Sequence, residues 1–192
     1  MILPIVRYGH PALRQRGASI DPITTDHRRL VADMFDTMYA AHGIGLAAQQ
    51  VGQALRVTVL DVRGVEDRPS TLHIDGKPVD VPAFMPLVLI NPELSFGREK
   101  VTGPEGCLSF PEMYADITRP ESIEVSALGL DGRPLVFRCG GLLSKAIQHE
   151  VDHLNGILFI DRMEKESKAA LKGELDQLMA ETKAALEAKD QR

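Results

Sequence analysis

Residues 148–153 read Gln-His-Glu-Val-Asp-His, two histidines four positions apart with Glu150 beside the first. On a helix this spacing stacks His149 and His153 on one face, one turn apart, where both imidazoles can reach a single metal ion. Glu150 is then placed to take a proton from a water activated there. The alternative is a surface helix with two stray histidines. Leu142, Leu143, Ala146, Ile147 and Leu154 argue against it, because they bury the helix, and buried histidines flanking a buried glutamate are costly without a partner. A catalytic metal of this kind takes three protein ligands. Downstream the chain offers Asn155, Asp161, Glu164 and Glu166, and it lacks the third histidine of an HExxHxxGxxH extension. Upstream, Glu105-Gly106-Cys107-Leu108-Ser109 holds a cysteine, a residue more often a small buried hydrophobe than a ligand. The glycine-rich segment 43–52 follows a helix, precedes a strand and lacks a third glycine at the right offset, so it is not a dinucleotide fingerprint.

The elements that position these residues are legible in outline. Thr25 or Asp26 caps a helix running to about His42, with Leu30, Met34, Phe35 and Met38 at helical spacing and Gly43 as its end. Residues 55–62 are rich in β-branched side chains and read as a strand. Residues 64–86 are polar and turn-rich, with Asp75-Gly76 marking a hairpin between 71–74 and 78–81. Further strands are predicted at 87–90 and 94–102, and at 123–128 and 135–139 flanking Asp131-Gly132. Residues 142–155 form a helix ended by Gly156, and a long charged helix spans about 163–189. Its tail beyond about 176 is charged and Ala-rich and is expected to be dispensable for chemistry. Strands cluster in the middle and helices at the edges, which predicts an α+β fold, one domain over 1–192.

Composition narrows the function. A net charge of −5 offers no basic field for nucleic acid or anionic lipid. No apolar run approaches the roughly 20 residues of a membrane span, and the start lacks a charged segment followed by a long apolar one, so no signal peptide is read. The 2 cysteines make no disulfide framework, which suggests a reducing, cytoplasmic setting. No partner helix or repeat stands out, and a monomer is expected.

Taken together, Gly43-Ile44-Gly45-Leu46-Ala47-Ala48-Gln49-Gln50, Glu105-Gly106-Cys107-Leu108-Ser109 and Gln148-His149-Glu150-Val151-Asp152-His153 resemble the three motifs of the peptide deformylase family, in the family's order. The resemblance runs from the first helix to Asp161. It implies antiparallel sheets packed around a helix bearing HExxH, with a C-terminal helix. It implies a metal held by Cys107, His149 and His153, Glu150 as general base, and Gln50 with the backbone N–H of Leu108 as oxyanion donors. Gln49 stands where other members have Thr or Ser. The resemblance places Arg119 beside Asp152. It puts the substrate against Ile44, Gly45 and Gly106, with Leu142, Ala146 and His149 around the methionine side chain. Gly45 is read as letting the substrate backbone approach. Lys145 stands where many members have an apolar residue or Arg, its stem lining the rim and its ammonium in water.

The reaction implied is hydrolysis of the formamide on formyl-methionine of newly made polypeptides. The implied metal is Fe(II), with Zn(II), Ni(II) or Co(II) able to replace it. The charged stripe on the C-terminal helix is a solvated face, or a place for transient contact with the ribosome. Two other classes compete. A zinc endopeptidase would cut internal peptide bonds and have no use for Cys107. A non-catalytic relative kept as a binding module would lose Glu150 or a ligand, and neither is missing.

Overall fold

The computed structural model describes residues 1–190; Gln191 and Arg192 lie outside them. In chain order it holds α1 (Thr25–Ala40), β1 (Gly45–Ala47), β2 (Val57–Leu60), β3 (Ser70–Ile74), β4 (Lys77–Pro78), α2 (Val81–Phe84), β5 (Leu87–Phe96), β6 (Lys100–Cys107), β7 (Phe110–Pro120), β8 (Ser122–Leu128), β9 (Pro134–Gly140), α3 (Gly141–Leu154), α4 (Lys165–Ala170) and α5 (Lys172–Asp190). Seven strands form one sheet in the order β1-β2-β5-β8-β9-β3-β4, and β6 pairs with β7 in a second, two-stranded sheet. Every pairing between these strands is antiparallel. The sequence-based α+β class therefore holds, with antiparallel sheets and C-terminal helices.

The large sheet is covered on two sides. Leu143, Ile147 and Val151 of α3 pack with Leu60, Leu89, Ile123, Val125 and Phe137. Met34 and Met38 of α1 pack with Leu46, Val57, Val59 and Ile90. Alternate residues of β2 face opposite helices, so the whole strand is buried.

Several predicted boundaries move for physical reasons. Thr24, not Thr25 or Asp26, caps α1, in a capping box with His27. The helix closes on His42 at φ 55, with N–H bonds from His42 to Tyr39 O and from Gly43 to Met38 O. That is a Schellman closure one residue earlier than Gly43 suggested. The predicted strand 94–102 is the end of β5, a turn and the start of β6; the turn donates from Gly97 N to Ser122 O. The rest of the β6–β7 ribbon was not predicted, because Gly103, Pro104, Gly106 and Pro111 are poor strand formers. The turn at Asp75 and Gly76, both at positive φ, forms as expected, and β3 joins the sheet beside β9. The second strand expected over 78–81 is only β4, Lys77–Pro78, because Asp80 caps α2, which starts at Val81 with Pro82 in its first turn. The long C-terminal helix is broken at Leu171 into α4 and α5. Leu171 turns inward onto the cluster of Leu13, Phe110, Ile117 and Phe159. Gly173 beside it weakens helix continuity.

That packing corrects the expected tolerance of truncation. Leu178 is only 6% exposed in the same cluster, so a cut after residue 176 removes a core side chain. Its loss should cost about 2–5 kcal/mol, as for other buried leucines. A cut after Thr182 should leave thermal stability and activity nearly intact, while one after Asp176 should lower the midpoint by many degrees. Equal midpoints for the two truncations would show that Leu178 contributes nothing.

α3 is tied at both ends. At its start Gly141 N donates to Glu121 Oε1 (3.2 Å), Leu142 N to Pro69 O (3.2 Å) and Leu143 N to Ser70 Oγ (3.0 Å). Pro69, Ser70 at the start of β3 and Glu121 between β7 and β8 thus satisfy first-turn N–H groups that Gly140 cannot cap with a side chain. At its end Leu154 O accepts from Gly17 N (2.9 Å), and buried Arg56 holds the capping residue Asn155 (3.1 Å).

Candidate metal centre

Nearly all of α3 is buried, so its histidines and glutamate are held in fixed surroundings. Residues of β6 on one face meet residues of α3 in rungs. Glu105 Oε2 lies 3.1 Å from His149 Nδ1, and Cys107 Sγ lies 3.3 Å from His153 Nε2. One step earlier, a Cβ on Gly103 would sit 2.7 Å from Lys145 Nζ. Every second strand residue thus faces every fourth helix residue. The ligand atoms of Cys107, His149 and His153 all fall within 4.8 Å of one another.

Whether these residues fit a cation is decided by charge and by unpaired atoms. Burial pulls the His149 imidazole down, but hydrogen bonds to Cys107 and Glu105 outweigh it and hold it well above its ordinary value. Burial drives His153 well below its ordinary value, and nearby His149 adds to this. His153 Nδ1 and Glu150 Oε2 are buried without hydrogen-bond partners. Two imidazoles and one thiol fit a divalent transition metal, with no fourth protein ligand in the cluster among the described residues.

A charged network braces the ligands. Arg119, 3% exposed, reaches Glu105 with Nε (2.5 Å) and Nη2 (3.0 Å), and Asp152 with Nη1 (2.9 Å). Arg162 grips Asp152 from the other side at 2.7 and 3.1 Å. Burial would push the Glu105 carboxyl up, but hydrogen bonds from His149 and Arg119 outweigh it and hold it at about 2. Glu105 is thus an acceptor that orients His149, the usual support of a metal-bound histidine. The Arg119–Asp152 pair was expected; the roles of Glu105 and Arg162 were missed. The residue pairs lie far apart in sequence, so no local spacing could reveal them.

The centre opens on a cleft of about 940 Å³. Its walls include Ile44, Gly45, Gln50, Gly106, Cys107, Leu108, Leu142, Ala146, His149 and Glu150, so all but one of the sequence-derived site residues meet there. His153 is the exception, placed behind Cys107. The Gln50 amide is oriented because Oε1 accepts from Ala47 N (2.9 Å), leaving Nε2 toward Cys107 Sγ (3.5 Å) and Ser109 Oγ (3.4 Å). Leu108 begins the two-residue turn between β6 and β7, where a central N–H is not used by the turn's own hydrogen bond. Gly45 has a reason beyond the one expected of it. A Cβ there would lie 2.5 Å from Glu150 Oε1, so its missing side chain makes room for the carboxylate. Burial pushes the Glu150 carboxyl up to about 7, against the opposing pull of His149 and Arg119.

An HExxH helix, a cysteine placed to complete three ligands and a carboxylate beside an open cleft are the features of a metallohydrolase. The polypeptide deformylase family model matches residues 2–169. A peptide deformylase of Methylacidiphilum infernorum is 49% identical over 178 residues, covering 93% of each chain. One of Opitutus terrae is 43% identical over 187 residues, covering 96% of this chain and 97% of that one. A crystal structure of peptide deformylase from Plasmodium falciparum superposes with a TM-score of 0.79 at 32% identity, covering 94% of this chain and 97% of that one. The chain belongs to the polypeptide deformylase family, metal-dependent hydrolases that remove the formyl group from the N-terminus of newly made polypeptides.

Proposed function

We propose that this chain is a single catalytic domain that hydrolyses N-terminal formyl-methionine, with Cys107, His149 and His153 holding one divalent metal. The observation that carries the reading is the convergence of these three ligands with the unpartnered Glu150 Oε2 at one cleft. A bound divalent metal supplies Lewis acidity that makes water nucleophilic near neutral pH. Fe(II) is the metal the family resemblance points to, with Zn(II), Ni(II) or Co(II) as substitutes. Glu150 takes a proton from water as its oxygen bonds to the formyl carbon. Gln50 Nε2 and the Leu108 N–H donate to the oxygen of that carbon as it gains negative charge. Glu150 returns the proton to nitrogen as the C–N bond breaks, leaving formate and a free amino terminus.

The peptide is read as an extended strand. β1 is an edge of the large sheet and β6 of the small one, and Ile44 and Gly106 line the cleft between them. Ile44, Leu142 and Ala146 supply apolar surface for the methionine side chain. No helix among the described residues is long and apolar enough to cross a membrane. The family resemblance points to a cytoplasmic monomer meeting nascent formyl-methionyl chains. The exposed, charged face of α4 and α5 is the surface left for a transient ribosome contact.

The test is formate release from formyl-Met-Ala-Ser by anaerobically purified protein, with metal content measured in parallel. Cys107→Ser should lose both metal and turnover, while Cys139→Ser should keep both. Cys139 is 1% exposed on β9, and burial pushes its thiol up to about 12. A Cys107 variant with full metal would favour an endopeptidase that takes its third ligand elsewhere.

A further inference from the structure

Along α3 the residues facing the cleft are Leu142, Lys145, Ala146, His149 and Glu150, a single helix face. Among the pocket residues Ile44, Leu142 and Ala146, Lys145 is out of place. It has no ion-pair partner among the described residues. Its stem lies along the wall and its ammonium rests over Gly103, occupying the space a side chain there would take: a Cβ at 103 would lie 2.7 Å from Nζ. The bare strand position is the seat of the charge.

We propose that Lys145, seated over Gly103, is a specificity-determining residue that gives the methionine pocket a hydrogen-bond donor and extends its substrates to formyl-methionine sulfoxide. The inference rests on the deformylase reading of the cleft. A thioether sulfur is a weak acceptor, whereas a sulfoxide carries a polar oxygen on a side chain of nearly the same length. An apolar pocket disfavours that oxygen, because burying it strips its water and returns no bond. An ammonium has three donors, and its aliphatic stem still packs against an unoxidised methionine. Each oxidation state of the first residue thus finds a partner on the same side chain.

The experiment measures kcat/KM for formyl-Met-Ala-Ser and for the same peptide with methionine sulfoxide. It uses the metal-loaded wild type, Lys145→Met and Gly103→Val. Lys145→Met keeps the stem's bulk and removes the donor. Gly103→Val leaves Lys145 in the chain but fills its seat; only the flexible tip of the lysine must move. The sulfoxide-to-thioether ratio is expected to fall by roughly tenfold or more in both variants, the size of a lost hydrogen bond to a charged group. A ratio unchanged within about twofold in folded Lys145→Met overturns the proposal. So does an equal fall for both peptides, which would mean that the ammonium holds the peptide backbone. A wild type that releases no formate from formyl-Met-Ala-Ser instead overturns the deformylase reading itself.

Discussion

Metal-loaded Glu150→Gln should lose at least about 10²–10⁴-fold in kcat while keeping its metal, the range for a missing general base. The substitution is nearly isosteric, so it keeps the fit over Gly45, where the carboxylate comes within 2.5 Å of a virtual Cβ. What disappears is the capacity to accept a proton. Burial raises this carboxyl to about 7, placing it where a base can take a proton from water and return it near neutral pH. A divalent cation beside it would add to the downward pull already exerted by His149 and Arg119. Metal analysis and single-turnover formate release on the same preparation separate the two roles. A metal-replete variant with near-normal turnover would remove Glu150 from the mechanism.

Formyl-Met peptides should be preferred over acetyl-Met peptides by at least about 10³ in kcat/KM, because misalignment and lost oxyanion contacts act together. A formyl carbon carries only hydrogen. An acetyl methyl would need room beside Gly45, and the Glu150 carboxylate already occupies that side. Leu108 and Cys107 line the cleft across from it. Pushing the carbonyl aside by about 1 Å takes its oxygen away from Gln50 Nε2 and can cost on the order of 100-fold. Gln50→Ala should lower kcat for the formyl peptide more than it raises KM, since a donor to developing charge acts chiefly in the transition state. Because Gln50 Oε1 also holds Ala47 N, Gln50→Glu is a useful companion that keeps an oxygen for that bond and removes the donor. Similar rates on both peptides, or a Gln50→Ala effect confined to KM, would refute this description of the cleft.

The candidate ligands were legible because each motif is short. The i, i+4 spacing of His149 and His153 carries its geometry wherever a helix forms, and helix α3 is marked by its apolar residues and Gly156. The hairpins at Asp75-Gly76 and Asp131-Gly132 were equally local. What the sequence did not show is long-range or runs against propensity. Glu105 orients a histidine 44 residues away, and Arg162, beyond the end of α3, grips Asp152. Ser70 and Pro69 complete the start of a helix from a segment that read only as polar loop. The β6–β7 ribbon has glycines and prolines where a strand would favour β-branched residues, because it must leave room for Lys145 and lie close to the cleft. Gly45 was noticed as a place where space matters, but the nearness of the Glu150 carboxylate to it was not.

The rungs between β6 and α3 behave like a vernier. Two strand residues advance about 6.6–6.8 Å and four helix residues about 6.0 Å, so the two scales drift by roughly 0.6–0.8 Å per rung. Aligned near the middle, at Glu105–His149, they remain in step for one rung on either side, at Gly103–Lys145 and Cys107–His153. A further rung would be out by well over an ångström, more than a metal–ligand distance tolerates. The scale is therefore three marks long: Gly103–Lys145 at the cleft wall, Glu105–His149, and Cys107–His153. Inserting or deleting a single residue inside 103–107 would turn part of β6 to its other face and misread the marks beyond it together, while the same change in the turn at 97–99 would leave the scale intact.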